Sequence, residues 1–271
     1  MKETEYQRVL EVLIDVTEAN KGVPAGHDDR ILDAEGLALK FVFHAASALY
    51  LYRSTSVPEI GASFFDPGSV NVLCRAALET FLVFHYVFVE PQSDDDRDCR
   101  YVAWVLAGYL ERQKLPVWSS EARVIMDHAA SRIAPFKEQL TANAAFCRLP
   151  PTDQKKLLKG DWRLQSWSKI GRSAGLHDVN STAFYSYLCD YAHAGNISVL
   201  QMRQADTADL QRSLCASAMR LVLIAMANMV KSYCALFPKS KGRLAGDPEA
   251  ARLIEMWIGV GAAEPRSIPN G

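Results

Sequence analysis

The stretch Val72-Leu73-Cys74-Arg75-Ala76-Ala77-Leu78-Glu79-Thr80-Phe81-Leu82-Val83-Phe84 decides the fold. Nearly every position is apolar, and its two charges stand four residues apart, the spacing that places both on one face of an α-helix. A helix this greasy must be enclosed almost all round, so Arg75 and Glu79 face a groove, a partner or a thin strip of solvent. Enclosing it takes a sizeable core. The chain has 271 residues, 49% hydrophobic and 23% charged, enough to bury roughly three quarters of its unfolded surface. That composition excludes the disordered, collagen-like and disulfide-scaffold classes.

Working outward, apolar residues recur at helical spacing through nearly the whole chain, while period-two alternation is almost absent. The expectation is an all-α fold, a single bundle of about seven to nine helices. Upstream, Tyr6, Val9, Leu10, Leu13 and Val16 form one stripe, stopped at Asn20-Lys21-Gly22, with a loop over 21–29 and a second helix over 30–53. Pro58, Gly61, Pro67 and Gly68 then break the helical pattern. Ser69 is the expected cap of the helix quoted above, which ends at Glu90-Pro91.

Downstream, Ser93 and Asp94-Asp95-Asp96 open a helix that runs to Leu115-Pro116. Ser119 or Ser120 opens the next, kinked at Pro135 and closed by Pro150-Pro151. Two short helices interrupted by Gly160 and Gly171 follow, then one from Asp178 to about Gly195 and a long apolar one over 207–237. Residues 1–237 are thus expected to form the bundle. In 238–271, Lys239 to Arg243 reads as a linker, Asp247-Pro248-Glu249 as the start of a short peripheral helix, and the residues from Gly261 as a frayed tail.

Six cysteines, separated by 19 to 48 residues, make no Cys-x-x-Cys pair and no zinc-spaced cluster, so neither metal nor cofactor is expected. The opening Met1-Lys2-Glu3-Thr4-Glu5 is polar and acidic, unlike a secretory leader. The longest apolar runs, near 80–89 and 221–230, fall short of the ~20 residues of a membrane span. These signs lead us to expect a cytoplasmic protein with reduced thiols and no membrane partner.

The formal net charge of −1 conceals a polarity: residues 1–100 carry 9 basic and 17 acidic side chains, and the remainder 21 and 14. The densest basic stretch, 155–172, holds six cations and one acid. There Lys155, Lys156 and Arg163 could contact phosphates while Trp162 or Trp167 stacks a base. The alternative is a solvated face anchored by two buried aromatics.

The helix from Asp178 offers Tyr185, Tyr187, Asp190, Tyr191 and His193. If it packs on the quoted helix, Arg75, Glu79 and His193 form one polar cluster, with Glu79 and His193 the candidates for proton transfer and Arg75 and Tyr187 for ligand binding. The alternative is an internal network that fixes helix register.

Leu73-Cys74-Arg75-Ala-Ala-Leu-Glu79, then Trp162 to Lys169, then Tyr185-Ser-Tyr187-Leu-Cys-Asp-Tyr191-Ala-His193 together resemble an uncharacterised bacterial all-helical family. That family is recognised by an Arg-x-x-x-Glu helix and a later tyrosine-rich helix ending in His, and it is distantly HEPN-like. The match spans residues 37–200. The resemblance implies a HEPN-like core and a role in bacterial defence or on RNA.

HEPN nucleases carry an Arg followed four to six residues later by His. Arg123 with His128 and Arg172 with His177 fit, but about 1.2 such pairs are expected by chance at this composition, so the motif adds little. Asp94-Asp95-Asp96-Arg97-Asp98 fits the magnesium motif of prenyl-diphosphate enzymes, yet acids are favoured at a helix N-terminus in any case. His27, His44 and His85 are isolated and receive no role. No Gly-rich phosphate loop, Gly-x-Ser-x-Gly elbow or His-Glu-x-x-His segment occurs.

The functional expectation is therefore a binding or regulatory module for RNA or a nucleotide. The alternatives are a metal-independent ribonuclease using His193 or His128 and, remotely, a prenyl-diphosphate-type enzyme. A homodimer remains open.

Overall fold

The computed structural model describes residues 2–23, 28–193 and 195–263, without the side chains of Asp29 and Phe184. It is 79% helical, in thirteen α-helices, with one short hairpin as its only sheet among the described residues. The fold is all-α. The chain divides into two units, one made of residues 1–85 with 167–271 and the other of 86–166.

The first unit opens with α1 (Glu3–Glu18) and α2 (Asp29–Arg53). The Pro/Gly-rich segment that follows forms a small antiparallel hairpin, β1 (Thr55–Val57) and β2 (Ala62–Phe64), in which Ser56 faces Ser63. Next comes α3 (Pro67–Phe84), the helix quoted above. Its cap is Asp66, whose carboxylate accepts the Ser69 N–H at 2.9 Å. Ser69 is the donor in that cap, because Pro67, at the first helical position, starts the helix three residues earlier than expected.

A π-helical turn, His85–Val89, leads from α3 into the second unit. There α4 (Asp94–Arg112), α5 (Ser120–Ala142), α6 (Ala144–Cys147) and α7 (Pro151–Leu158) follow one another. Ser93 and Ser119 cap α4 and α5. Asn143 ends α5 ahead of Pro150, because its side chain accepts the N–H groups of Ala145 and Phe146 and starts α6. Cys99, Val102, Ala103, Leu106, Leu140, Phe146 and Leu157 form this unit's core.

Back in the first unit, α8 (Trp167–Ser173) contains Gly171 within it, so that glycine does not interrupt the helix. A Cβ there would come 2.6 Å from the Ser181 Cβ, so Gly171 is small because another backbone lies against it. Residues 178–192 are helical without a break, close to the expected 178–195. A π-helical turn, Val179–Ala183, precedes α9 (Phe184–Ala192), and α10 (Asn196–Gln204) follows, unanticipated. The long α11 (Ala208–Leu236), capped by Thr207, buries every residue from Leu221 to Val230.

Residues 239–243, read as a linker, belong instead to α12 (Pro238–Ala245). Its Ser240 is fully buried, donating to the Val16 carbonyl at 2.6 Å and accepting from Asn20. The last helix, α13 (Pro248–Ala262), is not peripheral. It packs on α11 and buries Ala250, Ile254 and Trp257. Of the tail expected from Gly261, Gly261 and Ala262 belong to α13, and residues 264–271, with Pro265 and Pro269, lie outside the described residues, as do residues 24–27 of the 21–29 loop, His27 among them.

α3 is held between α2 and α11, and α1, α12 and α13 cover the rest of α11. Two helices, α3 prolonged through its π-turn and α11, are long and apolar enough to cross a membrane, and both are mostly buried within the protein. Seven of the thirteen helices have fifteen residues or more and the other six have four to nine. The expected seven to nine thus fell short because brief helices begin at positions that read as breaks.

Candidate functional site

α3 and α9 pack against each other, and this pairing assembles the polar cluster. The Arg75 Nε donates to Glu79 Oε1 at 3.1 Å. The Tyr185 hydroxyl donates to the same oxygen at 2.8 Å. Arg75 NH1 lies 3.2 Å from His193 Nε2. A guanidinium only donates, so that contact makes Nε2 the acceptor and places the ring proton on Nδ1. The Arg75 guanidinium also lies over the Tyr185 ring, 5.7 Å from its centroid, and the same ring meets Trp167.

The cluster is neither sealed nor open. The Arg75 side chain is 19% exposed and that of Glu79 31%, while His193 is exposed. Partial burial disfavours the charge on Arg75, but the Glu79 carboxylate and the Tyr185 hydroxyl outweigh it and raise the guanidinium pKa above its ordinary value. Burial, with the bond to Glu79 second, raises the Tyr185 pKa as well. Tyr185 is therefore a fixed proton donor at neutral pH, and Arg75 a fixed cation.

His193 stands at the C-terminal end of α9, and Asp190 locks the turn after it. The Asp190 carbonyl accepts the Gly195 N–H at 2.7 Å and its carboxylate accepts the Ser198 N–H at 2.8 Å, capping α10 from the preceding helix. A Cβ at Gly195 would overlap that carboxylate and displace it from the cap. The imidazole is thus held by the Arg75 guanidinium at the end of α9.

Tyr187 does not join the cluster. Its hydroxyl donates to the Leu214 carbonyl at 2.9 Å and lies 3.4 Å from the Tyr191 hydroxyl, which donates to Gln201. Residues two apart on a helix point about 200° apart, so Tyr185 faces α3 and Tyr187 faces α11. Tyr185 takes the place expected for Tyr187.

The basic stretch is divided between the two units. Lys155 and Lys156 are exposed on α7, with Lys156 paired to Asp153 at 2.9 Å. Trp162 packs against the second unit's core, its ring 5.8 Å from that of Tyr86, and Arg163 donates to the Gln165 carbonyl. Trp167 belongs to the first unit, beside Tyr185. Both tryptophans are partly buried aromatics rather than a pair of open stacking platforms.

Of the remaining motifs, Arg172 pairs with Asp178 at 3.0 Å, and Arg123 and His128 are both exposed on α5. Asp94 and Asp96 lie in the first turn of α4, paired with Arg97 and Arg100. Among the described residues no three His, Cys, Asp or Glu groups are placed to hold a metal, which leaves the prenyl-diphosphate reading without a second carboxylate set. A search of protein-family models, curated proteins and solved structures finds no match to the chain.

Proposed function

We propose that the protein is a phosphate-recognising module for RNA or a nucleotide, of HEPN-like build, with its site at Arg75, Glu79, Tyr185 and His193. The observation that carries this reading is an accessible imidazole bonded to a guanidinium whose other edge is already held. A purely internal network would have no reason to end on an exposed ring. Glu79 and Tyr185 fix Arg75 from one side, so its remaining donors are oriented in advance for an anion. His193 supplies a second contact that a small rotation of the arginine releases.

Fluorescence anisotropy of a labelled single-stranded RNA, and of nucleotides in competition, tests the reading. Arg75→Ala is expected to weaken binding about 10- to 100-fold, the loss of one charged hydrogen-bonding group. Binding by the unaltered protein should weaken steeply with salt. Lys155→Ala with Lys156→Ala reports separately on the α7 cations. No binding of either ligand class, or an unaltered affinity in Arg75→Ala, refutes it.

A second reading is favoured by one observation, the direction of His193 Nε2. When a phosphodiester takes the Arg75 guanidinium, that nitrogen's lone pair is released beside it. It can then accept the proton of a ribose 2′-hydroxyl, whose oxygen bonds phosphorus as the 5′-oxygen leaves and takes up a proton from water. Glu79 is a positioning residue in this scheme, because the one oxygen it turns into the cluster already accepts from Arg75 and Tyr185. Incubation of labelled RNA in EDTA distinguishes the readings. Cleavage lost in His193→Ala and kept in His128→Ala supports the nuclease, and binding without cleavage supports the module.

A further inference from the structure

Cys189 brings to the polar cluster a chemistry that the phosphate site does not use. It follows Tyr185 by four residues and precedes His193 by four, so it lies between them on one face of α9. Both neighbours are bonded to α3, Tyr185 to Glu79 and His193 to Arg75, and this turns Cys189 toward the same helix. The Arg75 charge responds to it: burial opposes that charge, while Glu79, Tyr185 and then the Cys189 sulfur favour it. The thiol is free and partly exposed, and its residue's carbonyl accepts the His193 N–H at 3.0 Å.

The other cysteines are placed differently. Cys74, Cys99, Cys215 and Cys234 are buried, and burial raises the pKa of each. A thiol that is protonated and enclosed meets no reagent. Cys147 is exposed, and its sulfur donates to the Thr141 carbonyl at 3.3 Å. Cys189 combines access with a neighbouring cation that Glu79 already holds in place, and a cation beside a thiol favours anionic reagents over others. Glutathione disulfide is such a reagent, with a carboxylate one residue from its sulfur. That carboxylate can rest on Arg75 while the sulfur meets Cys189, which makes the attack effectively intramolecular. A disulfide without an anionic group has no such anchor.

We infer that Cys189 is a modification site, forming a mixed disulfide with a carboxylate-bearing disulfide, glutathione disulfide, that Arg75 holds in place. The Cys189 thiolate attacks one sulfur, and the new S–S bond forms as the old one breaks. The second glutathione leaves as a thiolate and takes up the proton that Cys189 gave to solvent, so no further oxidant or reductant is needed. The attached tripeptide then occupies the guanidinium that the phosphate site requires. Modification closes the site and reduction reopens it. The inference rests on the reading of Arg75 as an anion receiver, which the thiol chemistry measures without RNA.

Mass spectrometry of the intact chain in a Cys147→Ser background follows the adduct. Glutathione disulfide is expected to modify Cys189 about tenfold faster than cystamine, a disulfide that carries ammonium groups instead, the worth of one charge-assisted hydrogen bond. Arg75→Gln should abolish the preference, and Arg75→Lys, which keeps the charge, should retain part of it. Inorganic phosphate, competing for Arg75 in the unsubstituted site, should slow glutathione disulfide and leave cystamine unaffected. The adduct should weaken binding of labelled single-stranded RNA about tenfold, dithiothreitol should restore it, and Cys189→Ser should make the affinity insensitive to glutathione disulfide. Equal rates for the two disulfides, a preference that survives Arg75→Gln, or an adduct that leaves RNA affinity unaltered overturns the inference. RNA binding through Arg75 with no preference between disulfides sinks it while the phosphate reading stands, and a preference without RNA binding refutes the RNA reading alone.

Discussion

Tyr185 links packing to chemistry in a single side chain. Its ring meets both Trp167 and the Arg75 guanidinium, and its hydroxyl holds Glu79. Tyr185→Phe keeps the ring and removes the bond, and is expected to cost about 1 kcal/mol, read as a lower melting temperature together with weaker phosphate binding. Tyr187→Phe should affect stability alone. The sequence reading chose Tyr187 where the structure places Tyr185, because the phase of α9 is set by the π-turn Val179–Ala183, and the extra residue in such a turn leaves no hydropathy signature. Arg75 and Glu79 were legible from their four-residue spacing, and His193 from its place at a helix end. Gly171 is a further case of a residue whose reason lies elsewhere in the chain. Gly171→Ala forces a Cβ against Ser181 and is expected to destabilise by about 1–3 kcal/mol, measured by chemical denaturation.

At the scale of elements, the long helices were readable because each carries its own periodicity and, α1 apart, most carry a side-chain cap. Ser93, Ser119, Thr207 and Asp247 each accept a first-turn N–H from within their own segment. The misread elements lack one of these signals. α10 is capped by Asp190 of the helix before it, so nothing at its own start announces it. α12 is polar and basic, and its single buried serine finds its partners on and just after α1. The start of α3 was misplaced because Asp66 and Ser69 are both capping residues and only the geometry separates acceptor from donor. Asp66→Ala is therefore expected to cost about 0.5–2 kcal/mol and Ser69→Ala close to nothing, a contrast that urea unfolding of the two variants measures directly.

For the whole molecule, burial sorts the ionisable groups. Cys147 is exposed and Cys189 partly so, while Cys74, Cys99, Cys215 and Cys234 are buried. Burial pushes Cys99 and Cys234 up to about 11 and Cys215 to about 12. A thiol-disulfide reagent at mildly alkaline pH is expected to titrate Cys147 rapidly, Cys189 slowly, and the other four only after unfolding. Burial likewise raises Tyr185, Tyr187 and Tyr233, the last to about 12. Each then binds its proton more tightly when folded, so their contribution is intact below the unfolded tyrosine value of about 10 and is lost as pH rises through the folded values. The melting temperature should hold to that point and fall beyond it, and less steeply in Tyr187→Phe.

The central helix of the first unit comes late in the chain. α1, α2 and α3 have their apolar faces against α11, whose buried run ends at Val230. During synthesis those three helices leave the ribosome with nothing to close over them, whereas the 86–166 segment can consolidate from neighbours close in sequence. A nascent chain arrested before residue 220 is expected to show a protease-resistant middle flanked by digestible ends, and resistance should spread to the N-terminal helices only once α11 has emerged.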